Sequence, residues 1–252
     1  MKTQLLSTQD IDDFFDRGYL VIPDVFSTTE IRRAKEAMNR LYQKGQNFDS
    51  TTVFAGSQFV FSGESLHRVV WAGANEPYLL EIGEDPRITQ RVSQLLGSKE
   101  LDHIINQCHF KMPHDNVAFR FHQDSENRGY GTSAWKDLNR YGSYVQTVLC
   151  IDPMKEDNGP LMLYPHSCRH GHIGLDRGAD LKNYTTESEP LGLTMKPGSM
   201  VLFGPYTVHG SSPNQSNESR FVLINGYAYP GANQKNYPGE SGRLLKVRQP
   251  MS

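Results

Sequence analysis

The apolar residues of the first hundred positions recur at helical spacing, and this pattern predicts three helices. Their expected bounds are residues 7–18, 28–45 and 81–96. Ser7, with Asp10 three residues later, is a candidate N-cap of the first helix, and Gly18 and Gly97 are expected to end the first and the third. A short apolar run over residues 19–22, stopped by a proline, predicts a β-strand between the first two helices.

After residue 100 the spacing of apolar residues shortens towards two, as in β-strands. Gly, Pro, Asn and Asp separate the runs, which cover residues 104–112, 144–151, 161–164, 191–195, 199–203 and 220–229. Helices followed by antiparallel strands indicate a β-sandwich or barrel with helices packed against it. We therefore expect a mainly β fold and a single domain over residues 1–252, with a helical N-terminal buttress (1–100) and a β core (101–252).

Composition narrows the class of protein without revealing its chemistry. Apolar residues make up 37% of the 252 residues and charged residues 21%, and the net charge is −2. These values exclude a disordered chain and a basic surface for nucleic acid. No apolar run is long enough to span a membrane, and the N-terminus lacks the apolar region of a signal peptide. The three cysteines form no close pair. We expect a cytoplasmic protein that binds neither membranes nor nucleic acid.

The clearest chemical signal is a histidine and an aspartate separated by one residue, His122 and Asp124. On a β-strand these two side chains point to the same face. His209, from a distant segment, adds a second imidazole. Two imidazoles and one carboxylate on one face of a metal are typical of non-haem Fe(II) oxygenases. Because a lone His-x-Asp also arises by chance in a chain with nine histidines, the prediction depends on the distal histidine as well.

Arg220 lies eleven residues beyond His209, across a segment rich in turn-forming residues. A hairpin there would place the two on adjacent antiparallel strands. A guanidinium pairs bidentately with a carboxylate, so Arg220 is a candidate to hold the far carboxylate of a dicarboxylate co-substrate. The alternative is an ordinary surface cation.

The polar segment of residues 125–142 is long for a connection inside a compact domain, and such loops are usually lids or binding loops. We expect it to cover the site and select the substrate. The candidate substrate-binding residues are Arg128, Tyr130, Trp135 and Arg140. The alternative is a solvated surface loop.

Several motifs together resemble the phytanoyl-CoA dioxygenase family of Fe(II)/2-oxoglutarate oxygenases. The similarity spans nearly the whole chain in the same order. It rests on residues 16–23 between two helices, on His122-Gln123-Asp124, on the segments 158–161 and 164–167, and on the block from Pro197 to Arg220. The chain departs from the family pattern at His166, where a glycine is usual, and at Cys168, where a histidine is usual.

This resemblance implies a double-stranded β-helix, the cupin-like jelly roll, that uses Fe(II), 2-oxoglutarate and O2. It implies hydroxylation, or another oxidation, of an unactivated C–H bond in a small polar substrate or natural-product intermediate, with release of succinate and CO2. His122, Asp124 and His209 would be the catalytic metal ligands. Residues that would contact 2-oxoglutarate are Arg220, Ser211, Thr147 and Gln107. We expect a monomer or homodimer whose partner is the small-molecule substrate.

Two other functions remain open from the sequence. A jelly roll of this kind also occurs as a non-catalytic small-molecule-binding module. A cupin-type metal-dependent isomerase would use His170 and His172 as ligands, although these lie in a glycine-rich loop. The role of His166 is equally open. The remaining histidines are expected to be structural or to lie on the surface; they are His67, His103, His109 and His114.

Overall fold

Two antiparallel β-sheets face each other, and helices cover the outer face of the larger one. The computed structural model describes residues 5–186, 189–233 and 243–247. The helices are α1 (Thr8–Arg17), α2 (Thr28–Gly45), α3 (Pro77–Gly83), α4 (Pro86–Leu96) and α5 (Asp124–Asn127). The strands are β1 (Tyr19–Ile22), β2 (Thr52–Phe54), β3 (Ser57–Ser62), β4 (Ser65–Val70), β5 (Glu100–Lys111), β6 (Phe119–His122), β7 (Tyr144–Cys150), β8 (Leu161–Leu163), β9 (Leu191–Gly192), β10 (Met200–Phe203), β11 (His209–Ser211), β12 (Arg220–Ala228) and β13 (Arg243–Lys246).

The larger sheet has the strand order β1-β10-β7-β12-β5-β4-β3-β2, with β13 also paired to β5. The smaller sheet has the order β6-β11-β8-β9. Apart from β2 to β5, which follow one another along the chain, neighbouring strands in both sheets are distant in sequence, as expected when a chain winds back and forth between two facing sheets. The arrangement confirms the predicted jelly roll. Within the described residues, no helix is both long and apolar enough to cross a membrane.

The first two helices confirm the sequence prediction, and the first also has the predicted N-cap. The side chains of Ser7 and Ser27 each accept a hydrogen bond from the backbone N–H three residues on. The carboxylates of Asp10 and Glu30 in turn accept hydrogen bonds from the backbone N–H of Ser7 and Ser27. The predicted third helix is in fact two, α3 and α4. Pro86 causes the break, because a proline lacks an N–H and disfavours helical geometry at the residue before it. Asp85 is instead extended and caps α4.

Residues 52–70 depart from the predicted helical N-terminal buttress, in which residues 19–22 are the one expected strand. They form the strands β2, β3 and β4, which extend the larger sheet beyond β5. The turn between β2 and β3 has two residues, Ala55 and Gly56, both with positive φ, which matches the twist of a tight hairpin. Gly63, also at positive φ, begins the next turn. These glycines are the sequence signal for the hairpins.

The alternation of side chains along the larger sheet separates the core from a cavity. On β12, Phe221 and Leu223 pack with the helices in the main apolar core, together with residues such as Ile31 and Val92. Their neighbours Val222 and Ile224 point the other way, towards the smaller sheet. The space between the two sheets is therefore lined by one face of each.

Candidate active site

The side chains of His122, Asp124 and His209 come together where β6 ends and β11 begins. His122 ends β6 and His209 begins β11, and the two residues are direct partners in the antiparallel ladder. Asp124 is the first residue of the single-turn helix α5. One side-chain ligand atom from each of the three lies within 4.8 Å of the others. This clustering is what a single metal ion requires.

Asp124 reaches the cluster by a different route from the one predicted. The strand ends at His122, so the two residues do not form an i, i+2 pair on one strand. Gln123 makes the turn, and three hydrogen bonds hold its side chain. It donates to the carbonyls of Tyr206 and Gly171 at 2.6 and 2.8 Å and accepts from the backbone N–H of Ile173 at 2.7 Å. The buried amide thus fixes the carboxylate beside the two imidazoles.

The protonation of the two imidazoles suits metal binding. Nδ1 of His122 lies 2.8 Å from the carbonyl of Arg120, and Nδ1 of His209 lies 3.0 Å from the carbonyl of Thr207. Since a carbonyl can only accept, both Nδ1 atoms carry the hydrogen, and each Nε2 keeps a lone pair for a metal. Burial and the neighbouring His122 lower the pKa of His209 to about 4, so its ring is neutral at neutral pH.

Asp124 completes a donor set that fits a divalent cation. Its Oδ2 is buried and has no hydrogen-bond partner in the described structure. An unpartnered buried carboxylate oxygen is costly unless a cation neutralises it. A carboxylate with two neutral imidazoles on one side, and an open cavity on the other, is the ligand set of non-haem Fe(II) sites. The residues present therefore fit the iron that the sequence predicts.

The cavity beside the triad has a volume of about 350 Å³. Alternate residues of the larger sheet form one wall, and β6, α5 and β11 form the other. Three of the four residues predicted to contact 2-oxoglutarate line it, namely Gln107, Ser211 and Arg220. The fourth, Thr147, points to the opposite face of β7, where its hydroxyl donates to the carbonyl of Asn225. The pleat of β7 places Gln146 and Val148 in the cavity in its place.

Arg220 and Ser211 present polar atoms to the same end of the cavity. Arg220 is only 4% exposed, and one of its terminal nitrogens donates to the carbonyl of Gly159. Its Nε and the hydroxyl of Ser211 are buried without partners among the described residues. Burial lowers the pKa of Arg220 to about 10, so the guanidinium stays charged at neutral pH. A buried cation beside an unpaired hydroxyl suits an incoming carboxylate.

The structure places one of the four predicted substrate-binding residues in the cavity wall and the other three outside it. Arg128 is buried and lines the cavity; it lies over the Tyr144 ring and donates to that hydroxyl at 2.8 Å. Tyr130 instead stacks on His172, with ring centroids 3.8 Å apart. Trp135 packs against Tyr206. Arg140 is exposed, and neither it nor the two aromatic residues line the cavity.

His170 and His172 do not join a metal site. His170 is exposed, and Nδ1 of His172 pairs with the hydroxyl of Ser125 at 2.8 Å. His166 contacts the carbonyl of Asp16 at the surface. Across the described ranges, the triad is the one cluster of three potential ligands within reach of one another. The geometry that a cupin-type isomerase would need is therefore not present there.

Several cavity residues were not identified from the sequence. His109, expected to be structural or exposed, lines the cavity with its Nε2 buried and unpartnered. Gln58 and Arg68 enter from the unpredicted hairpins. The period-two alternation of β5 would have grouped His109 with Gln107, because both lie on the same face. No local signal connects Gln58 or Arg68 to the site, since sheet pairing alone brings them there.

A jelly roll that holds two histidines and an aspartate beside a buried arginine has the architecture of Fe(II)/2-oxoglutarate oxygenases. The sequence matches the family model for phytanoyl-CoA dioxygenase (PhyH) over residues 14–222. The chain belongs to this family. It is accordingly a 2-oxoglutarate-dependent non-haem iron oxygenase, with Fe(II), 2-oxoglutarate and O2 as its cofactor and co-substrates.

Individual relatives are distant and varied. The chain is 23% identical over 223 residues to ectoine dioxygenase of Sphingopyxis alaskensis, covering 79% of this chain and 69% of the relative. It is 22% identical over 232 residues to L-proline trans-4-hydroxylase of Streptomyces griseoviridis, covering 82% and 81%. Among solved structures, EctD from S. alaskensis with 2-oxoglutarate and 5-hydroxyectoine superposes with a TM-score of 0.76 at 20% identity, covering 96% of this chain and 86% of that one. The carbocyclase SnoK from nogalamycin biosynthesis gives 0.68 at 17% identity, covering 91% and 87%.

Proposed function

We propose that His122, Asp124 and His209 bind the catalytic Fe(II), and that Arg220 binds the distal carboxylate of 2-oxoglutarate. One observation carries the proposal: the triad and the arginine open into the same cavity, which Ser211 and Gln107 also line. Bound iron would activate O2 in a reaction coupled to conversion of 2-oxoglutarate to succinate and CO2. The outcome would be insertion of one oxygen atom into a substrate C–H bond.

The protein's own residues prepare this chemistry by orientation and by exclusion of water. The backbone carbonyls of Arg120 and Thr207 hold the two imidazoles in one tautomer, and the Phe203 ring packs 4.5 Å from that of His209. The larger sheet adds an apolar wall that includes Val222 and Ile224. An apolar wall limits water near the reacting groups and strengthens the charge pairing of Arg220 with a carboxylate.

We infer that the substrate is a small polar molecule. Relatives named for ectoine and L-proline support this size class. A cavity of about 350 Å³ lies at the lower end of ligand-site volumes, and it must also hold the co-substrate. Polar groups line the part of the cavity away from Arg220 as well, including Arg128 and Gln146. These groups suit hydrogen bonding to a polar substrate rather than to a hydrocarbon chain.

Anaerobic addition of Fe(II) and then 2-oxoglutarate tests the proposed function. A weak visible charge-transfer band should appear only when both are present, and O2 should then release succinate. A screen of amino acids, cyclic amino acids, acyl thioesters and natural-product intermediates for stimulated succinate release would identify the substrate. A non-catalytic binding module would give neither the band nor succinate.

Arg128→Met is expected to weaken substrate binding selectively. A hydrogen bond to a charged group contributes about 1.5–3 kcal/mol, so the KM for the substrate found in the screen should rise by roughly 10- to 100-fold. The KM for 2-oxoglutarate should stay unchanged, because Arg220 serves that molecule. Arg140→Met, at an exposed site outside the cavity, is the matched control. Equal substrate KM values in the two variants would remove Arg128 from the substrate site.

A further inference from the structure

Gln146 lies in the cavity wall near the metal ligands and far from Arg220. Its partner on the neighbouring strand, Phe203, packs against the His209 ring with centroids 4.5 Å apart. On its other side, Gln146 pairs with Gly226, which is six residues along β12 from Arg220. At about 3.3 Å per residue, that stretch of strand is roughly 20 Å long. Gln146 therefore belongs to the end of the cavity away from the co-substrate's distal carboxylate.

A chain of hydrogen bonds fixes the rotation of the Gln146 amide. Arg128 donates to the Tyr144 hydroxyl at 2.8 Å, and that hydroxyl donates to Oε1 of Gln146 at 2.6 Å. Because a guanidinium can only donate, the hydroxyl accepts from Arg128 and directs its own hydrogen to Gln146. The group that receives this hydrogen must be the carbonyl of the amide. The amide nitrogen is consequently turned the other way.

The strands hold this chain in place. Tyr144 and Gln146 are two residues apart on β7, so they project to the same face, and they are only 1% and 6% exposed. β12 passes so close to the Tyr144 hydroxyl that a Cβ at Gly226 would collide with it. A glycine at this position is what makes room for the tyrosine beside the cavity.

The amide nitrogen of Gln146 is left as a hydrogen-bond donor towards the cavity. Among the described residues it has no partner, since the one hydrogen bond of this side chain is made by Oε1. Arg128, whose side chain has donors and no acceptor, lines the same cavity. These two side chains suit a ligand group that accepts hydrogen bonds.

The charges of the cavity lining favour an anion over a cation. The lining includes Arg68, Arg128 and Arg220, whereas Asp124 is the one carboxylate among the lining residues that the structure describes. Asp124 is a proposed iron ligand, so that lining offers no further acid to pair with an ammonium group. A carboxylate has two oxygens that accept hydrogen bonds from guanidinium and amide N–H groups.

We propose that the substrate carries a carboxylate, which accepts hydrogen bonds from the Gln146 amide nitrogen and from Arg128. This inference rests on the proposed function, which places the oxidised C–H bond in the same cavity. Tyr144 is a positioning residue, because it holds the amide in the rotation that presents N–H groups rather than the carbonyl. Small carboxylic acids are then bound in preference to neutral amides of the same shape.

Anaerobic calorimetry on the Fe(II)-loaded protein tests this assignment, with saturating 2-oxoglutarate present so that the Arg220 site is filled. The probes are two matched pairs built on five-membered rings. One pair is cyclopentanecarboxylate and cyclopentanecarboxamide, and the other is L-proline and L-prolinamide. In each pair, wild type should bind the acid roughly 10- to 100-fold more tightly than the amide at neutral pH.

Gln146→Glu reverses the group that faces the cavity without changing its size. One carboxylate oxygen can still accept from Tyr144, while the other puts an acceptor where the N–H donor was. Affinity for both acids should fall roughly 10- to 100-fold, and the preference for acid over amide should disappear. Gln58→Glu is the matched control, because it makes the same change in the same cavity wall, four strands away from β7. It should keep the preference.

Tyr144→Phe keeps the inference testable if Gln146→Glu does not fold. Without the hydroxyl the amide can rotate, so the preference for acids should shrink, whereas a general structural defect would weaken both members of a pair equally. The assignment is overturned if wild type binds acid and amide equally, if it binds neither acid, if both variants keep the preference, or if Gln58→Glu also loses it. An unchanged preference in Tyr144→Phe alone removes the positioning role of Tyr144. If Fe(II) and 2-oxoglutarate give no charge-transfer band in wild type, the proposed function itself fails.

Discussion

Asp124→Ala should abolish succinate formation and weaken Fe(II) binding while leaving the fold intact. The carboxylate is the one anionic member of the triad, and its loss leaves two neutral imidazoles to hold a divalent cation. The fold should tolerate the change, because Oδ2 of Asp124 is buried without a hydrogen-bond partner in the described structure and its removal also removes a desolvation cost. Iron stoichiometry after anaerobic loading, succinate release and thermal unfolding of the metal-free protein measure the three effects.

Asp176→Asn is the matched control for this experiment. Asp176 is an exposed carboxylate close enough to α5 to act on Glu126, and among the described residues it belongs to no cluster of potential ligands. Its variant should load one iron per chain and release succinate as wild type does. Full turnover and stoichiometric iron in Asp124→Ala would show that the triad is assigned wrongly.

Arg220→Ala should raise the KM for 2-oxoglutarate steeply and leave iron binding nearly unchanged. Removal of one partner of a buried charge pair costs about 3–5 kcal/mol, which corresponds to roughly 10²- to 10⁴-fold in affinity. Arg220 donates to the carbonyl of Gly159 and takes no part in the hydrogen bonds that orient the two imidazoles, so the triad keeps its geometry. Initial rates of succinate release against 2-oxoglutarate concentration give the KM, and metal analysis gives the iron content.

Arg40→Ala serves as the control for the loss of an arginine. Arg40 forms an exposed ion pair with Glu76, and such pairs contribute at most about 1 kcal/mol. Its variant should show the wild-type KM. A wild-type KM for 2-oxoglutarate in Arg220→Ala would take that residue out of the co-substrate site.

The helices and strands that could be predicted from the sequence are those that depend on residues close together in the chain. The helices α1 and α2 follow from capping residues and a continuous apolar stripe, both of which act within a few turns. Strands such as β7 and β12 follow from β-branched and aromatic runs between turn residues. The triad was identified because its residue types and order are uncommon together, even though the expected strand geometry of Asp124 was wrong.

Thr147 shows where local reasoning stops. Its place on a core strand was predicted correctly, but the face of the strand was not. A shift of one residue in register moves every side chain to the other side of a sheet, and register depends on pairing with strands far along the chain. Here β7 pairs with β12 and β10, and that pairing sends Thr147 away from the cavity and Gln146 into it.

By itself, the sequence determined the first two helices and most of the core strands, and it singled out the candidate metal ligands and the candidate arginine, because caps, periodicity and rare residue combinations depend on short stretches of chain. Only the tertiary structure decided which side chains share the cavity. It brought His109, Arg68 and Gln58 to one wall and set Lys111 opposite Arg220. The physical reason is that strand pairing and burial act between residues far apart in sequence, and their charges and hydrogen bonds become coupled only once the sheets have closed.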